Sequence, residues 1–91
     1  MRSYRPVTAA LRVLDVLQAV NRLEAANVSR IARMTGLSSA TVVRMLETLV
    51  EGGFVVRNPD RPVYYPTDRT MALSEGFTRR MGVAPMLEAA E

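Results

Sequence analysis

The chain has 91 residues, 48% of them hydrophobic, enough for one small domain and not two. It contains no cysteine and no histidine, which excludes disulfides, thiolate or imidazole metal sites, and Ser-His-Asp or Cys-His catalysis. The formal charge is +3 and all 12 basic side chains are arginine, whose planar fork suits phosphate and guanine; a GC-rich genome favouring arginine codons would give the same excess.

The charge is uneven. Residues 1–27 and 28–66 each carry +2, whereas residues 67–91 carry −1. The acids are scattered and no glycine-rich phosphate loop occurs, so neither an enzyme nor a bound cofactor is expected. No stretch is long and apolar enough to span a membrane. The opening MRSYRPVTAALRVLDVL is interrupted by Arg12 and Asp15, unlike a secretory signal, and a cytoplasmic location is expected.

In chain order, residues 1–6 form a short basic arm ending in Pro6, either disordered or touching phosphate. A helix is predicted from about Thr8 to Val20, with Ala10, Val13, Leu14, Leu17 and Val20 as its core stripe. Leu11 and Val16 widen that stripe beyond what a three-helix core needs, so part of it is expected to face a partner subunit. Asn21 to Asn27 reads as a connection, and Val28 as a strand of one or two residues.

The stretch VSRIARMTGLSSATVVRMLETLVEGG, residues 28–53, reads as helix, tight turn, helix. The first of these helices is predicted over about Ser29–Thr35, the turn at Gly36-Leu37-Ser38, and the second over about Ser39–Glu51. Gly36 suits a left-handed position and Ser38 an N-cap. In the second helix Val42, Met45, Leu46 and Leu49 recur at i, i+3, i+4 and i+7. The opposite face holds Ala40, Thr41, Arg44, Glu47, Thr48 and Glu51. Small residues there allow close approach to DNA, hydroxyls bond phosphates or base edges, and Arg44 can read guanine by two parallel hydrogen bonds. An ordinary amphipathic helix with a solvated polar face has the same pattern. Arg30 is placed either to reach a backbone phosphate or to remain a solvated charge.

Gly52-Gly53 ends the helix. Phe54 to Arg57 and Val63 to Tyr65 read as two short strands around Asn58-Pro59-Asp60-Arg61-Pro62, whose Pro and Asp suit the middle of a type I turn. This is a β-hairpin wing, with Arg57 and Arg61 near its tip as expected backbone contacts. A helix follows from about Asp68 to Met81, capped by Thr67, with Leu73, Phe77 and Met81 on one face and Gly76 as its weak point. Gly82 would stop it, and a new helix is expected near Pro85. The last residues read as the start of a second domain beyond Glu91.

The order helix, helix-turn-helix, wing, linker helix resembles the N-terminal DNA-binding domain of the IclR family of bacterial transcriptional regulators. The resemblance runs over about residues 6–80 and is carried by PVTAALRVLDVL, by VSRIARMTGLSSATVVRMLETLVEGGFV and by TMALSEGF. The LSEGF stretch is similar to regulators of aromatic-acid catabolism within that family. The resemblance implies a homodimer, or a tetramer of the full-length protein, on double-stranded operator DNA. It also implies a C-terminal domain that binds a small-molecule effector, often an aromatic or organic acid. Family members usually carry arginine in the first helix where this chain has Ala9, and often in the second wing strand where it has Tyr64-Tyr65.

The expected architecture is therefore mainly α with a small β-hairpin: a winged helix-turn-helix over residues 1–66, a linker and dimerisation helix over 67–82, and the start of an effector domain over 83–91. The expected DNA-binding residues are Ser29, Arg30, Ser38, Ser39, Thr41, Arg44, Thr48, Arg57 and Arg61, with Leu11, Leu73 and Phe77 at a dimer interface. A winged helix used only for protein interaction is the alternative, since fold does not fix function. The small, polar, basic face at Ser38, Ser39, Thr41 and Arg44 favours DNA.

Overall fold

The computed structural model describes residues 5–81. Along them run α1 (Thr8–Arg22), α2 (Val28–Thr35), α3 (Ser39–Glu51), β1 (Val55–Arg57), β2 (Tyr64–Pro66), α4 (Arg69–Ala72) and α5 (Glu75–Met81). This is a winged helix-turn-helix, followed by two short helices in the segment expected to be a linker. No helix among the described residues is long and apolar enough to cross a membrane.

The core is where α1, α2, α3 and the base of the hairpin meet. Val16, Ala19 and Val20 come from α1, Ile31 from α2, Val42, Leu46 and Leu49 from α3, and Val55 from β1, with Ala26 from the connection. The α3 stripe is the one its spacing predicts, with Met45 at its half-buried edge. The α1 stripe is rotated from the expected one. Val16 and Ala19 are buried, whereas Ala10, Leu11 and Leu14 are exposed. The apolar side chains of α1 nearly encircle it, so periodicity alone cannot select the face that α3 covers.

Each end of the helix-turn-helix has a chemical cause. The Asn27 side-chain oxygen accepts the Arg30 N–H at 2.8 Å and caps α2. Val28 is therefore the first helical residue and not a strand; the bridge to β2 is made by Ala26 opposite Tyr64. Gly36 closes α2 in the left-handed conformation (φ 76°), its N–H donating to the Ala32 carbonyl. Ser38 Oγ accepts the Thr41 N–H at 3.2 Å and starts α3. At the far end of α3, the Phe54 N–H donates to Leu49 and the Gly53 N–H to Val50, the two bonds of a Schellman motif, with Gly53 at φ 83°.

The wing is antiparallel, with Val55 opposite Pro66, Val56 opposite Tyr65 and Arg57 opposite Tyr64. Its second strand lies one residue later than expected, at Tyr64–Pro66. The tip is organised by Asn58, whose side-chain oxygen accepts from both the Asp60 and Arg61 N–H groups at 2.8 and 3.0 Å.

The linker departs from a single helix. It breaks at Leu73 and Ser74, not at Gly76, which lies inside α5. Through α4 the N–H groups of Thr70, Met71, Leu73 and Ser74 bond carbonyls three residues back, a tightened turn that does not propagate as α-helix. Ser74 Oγ also donates to the Met71 carbonyl at 3.0 Å, a local bond that competes with helix continuation. The cap expected at Thr67 falls instead on Asp68, which makes no side-chain cap bond, and Thr67 holds the turn before α4 in a double role. Its hydroxyl accepts the Arg69 N–H at 3.2 Å and donates to the Gly53 carbonyl at 2.6 Å. The Arg69 guanidinium lies 4.9 Å from the Phe54 ring centroid, a second tie between the linker and the end of α3. The stop expected at Gly82 and the helix expected near Pro85 lie outside the described residues, as do residues 1–4 of the arm.

Candidate nucleic-acid interface

The polar face of α3 forms one wall of an open groove. Thr41, Arg44, Met45, Glu47, Thr48 and Glu51 line it from α3, and Ala9 and Arg12 from α1. Its volume is about 610 Å³. The apolar stripe fixes this arrangement: burying Val42, Leu46 and Leu49 turns Arg44, Glu47, Thr48 and Glu51 outward.

Several hydroxyls on this face are already engaged. Ser38 Oγ donates to Thr41 Oγ1 at 3.0 Å as well as capping α3. Thr48 Oγ1 donates to the Arg44 carbonyl at 3.0 Å, one turn back. Both residues therefore contribute lone pairs outward more readily than a free proton, whereas the Arg44 guanidinium is exposed on a rigid helix. Ser39 is exposed at the first position of α3, beside the N-terminal amides.

On the other side of α3, the wing makes a second hollow of about 380 Å³ lined by Glu47, Val50, Glu51, Arg57 and Tyr64. Glu47 and Glu51 thus belong to both depressions and separate Arg44 from Arg57. Arg57 lies along the tip, its guanidinium 3.4 Å from the Asn58 carbonyl, and Arg61 is exposed beside it. Ser29 and Arg30 are exposed on the first turn of α2. Arg30 lines a different hollow, with Leu23, Arg33 and Met34. The structure therefore brings Thr41, Arg44 and Thr48 together, sets Arg57 across two acids from them, and leaves Arg30 apart.

The helical period of α1 does not show that it adjoins this face; the family resemblance alone points there, through the arginine that members carry where this chain has Ala9. Ala9 and Arg12 carry no signal of their own, because nothing in a helical period says which neighbour an exposed stripe adjoins. The three residues expected at a dimer interface all present apolar surface to solvent: Leu11 is 53% exposed, Leu73 63% and Phe77 52%.

A recognition helix that opens on small polar residues and carries Arg44 on its outer face, presented by a helix-turn-helix and flanked by an arginine-bearing wing, defines a winged helix-turn-helix of the DNA-binding kind. The family model for the IclR helix-turn-helix domain matches residues 9–59, and the chain belongs to that family. It is accordingly the DNA-binding domain of a transcription regulator. Among solved structures, the chain is similar to an IclR family transcriptional regulator from Brucella abortus at 28% identity and a TM-score of 0.77, covering 87% of this chain and 30% of that one. It is similar to HmgR of Pseudomonas aeruginosa at 27% identity and a TM-score of 0.69, covering 77% and 29%. The Zalpha domain of ORF112 from cyprinid herpesvirus 3, studied for its binding mode to Z-DNA, matches at 28% identity and a TM-score of 0.60, covering 64% and 95%. The chain spans less than a third of the length of the two regulators.

Proposed function

We propose that α3 enters the major groove of operator DNA with Ser39, Thr41, Arg44 and Thr48 toward the base edges, and that the protein does so as a homodimer. Arg44 is the guanine reader, its fork matched to the O6 and N7 acceptors. Ser38 serves mainly as the cap that orients the first turn of α3, while Ser29 and Arg30 hold phosphate at the start of α2. Arg57 and Arg61 hold the backbone or minor groove from the wing. The observation that carries this reading is the exposed Arg44 in the α1–α3 groove, on a helix whose other face is locked into the core.

The homodimer reading rests on Leu11, Leu73 and Phe77, apolar residues that this fold leaves uncovered. Residues 67–82 serve as linker, and residues 83–91, outside what the structure describes, begin a further domain. That domain binds a small organic or aromatic acid that controls DNA binding. The site of action is the cytoplasm. In support, the chain accounts for only 30% of the Brucella regulator to which it is similar.

Arg44→Ala tests the base-reading role. It is expected to lower affinity for the preferred site by about 1–3 kcal/mol and to relax preference at one base pair, measured by titration against single-substitution duplexes. Equal weakening on every sequence would make Arg44 a phosphate clamp instead.

A further inference from the structure

We propose that Arg12 of α1 is a DNA-phosphate contact, so that one strand of the duplex lies in the groove between α1 and α3 and not against α3 alone. The inference rests on the DNA-binding reading above and extends it to a helix that otherwise serves the core.

Arg12 is exposed and lines the same depression as Thr41, Arg44 and Thr48. Ala9, about one turn earlier on α1, lines it too with only a methyl group, so the α1 wall is open to a strand. The charge pattern across the whole face is the second observation. Arg12 and Arg44 line the groove on one side of α3, Arg57 lines the hollow on the other, and Glu47 and Glu51 belong to both. A duplex offers a matching order: phosphate strand, base edges in the groove, phosphate strand. Carboxylates repel phosphate but accept hydrogen bonds from base amino groups such as cytosine N4. The two acids therefore keep the backbone off the centre of the face, where Arg44 reaches the base edges, and Arg12 and Arg57 on the two flanks receive the two strands. Arg12 is the flank on the α1 side, as Arg57 is on the wing side.

A phosphate contact carries no sequence information but releases a counterion, so its signature is the salt dependence of binding. The test is a salt titration of the chain and its variants against a pool of random-sequence duplexes, with thermal melts confirming that each variant folds. Arg12→Ala is expected to reduce the slope of log K against log salt by about 1 and to weaken random and preferred duplexes several-fold alike. Arg12→Lys is expected to keep the slope. Arg22→Ala, which removes the same charge from a hollow lined by Asp15, Gln18, Met34 and Thr35, is expected to leave the slope unchanged. An unchanged slope in Arg12→Ala, or an equal loss in Arg22→Ala, would overturn the assignment while leaving the recognition helix intact. If the unmutated chain bound no duplex at low salt, the DNA-binding reading itself would fall, and this inference with it.

Discussion

The helix-turn-helix and the linker use similar apolar residues and treat them in opposite ways. In the former and the helix α1 that packs on it, Val16, Ile31, Val42 and Leu46 are fully buried. In the latter, Met71, Leu73, Phe77 and Met81 are all exposed, and neither α4 nor α5 buries a residue. The first region is held by its own core; the second is held to it by the Thr67–Gly53 hydrogen bond and by Arg69 over Phe54. Apolar content therefore measures stability only where another element covers it. The linker's share of it faces solvent.

This contrast can be broken by substitution. The largest expected effect is in the core: Leu46→Ala should cost about 2–5 kcal/mol in chemical denaturation, because it opens a cavity among residues that cannot collapse fully. A cost under about 1 kcal/mol would show that the core is looser than its burial implies. Smaller is the loss of a cap. Asn27→Ala should cost about 1 kcal/mol, and Asn27→Ser should restore most of it, since both side chains accept the same backbone N–H. The smallest effect on folding is expected at the linker. Phe77→Ser should shift the unfolding free energy by no more than about 0.5 kcal/mol, yet should weaken self-association in sedimentation equilibrium. A large loss of monomer stability would mean that α5 is packed after all; unchanged self-association would remove Phe77 from the dimer surface.

The same contrast explains what could be read from the sequence. The bounds of α3 were legible because three signals agree: Ser38 as cap, the i, i+3, i+4, i+7 stripe, and Gly52-Gly53 as stop. The turn at Gly36 was legible for the same reason. In α1 almost every inward candidate is apolar, so the face was misassigned toward Ala10 and Leu14. The helix bound at Asn27 is harder to read, because the residue fits a connection as well as a cap, although asparagine is a strong N-cap. In the linker a continuous helical period over Leu73, Phe77 and Met81 concealed the break at Ser74, which depends on local hydrogen bonding and not on hydrophobic spacing. Of the interface, Thr41, Arg44 and Thr48 were readable as one face of one helix. The α1 wall was not, because adjacency between elements is a property of packing.

The central claim is that α3 reads base edges. The most direct measurement is selection of random duplex DNA by the chain, followed by sequencing, at two salt concentrations. The account predicts an enriched motif that survives the higher salt, arranged as a palindrome with half-sites about one helical turn or a multiple apart, and lost with Arg44→Ala. Salt-sensitive binding with no enriched sequence, or no binding at low salt, would contradict it.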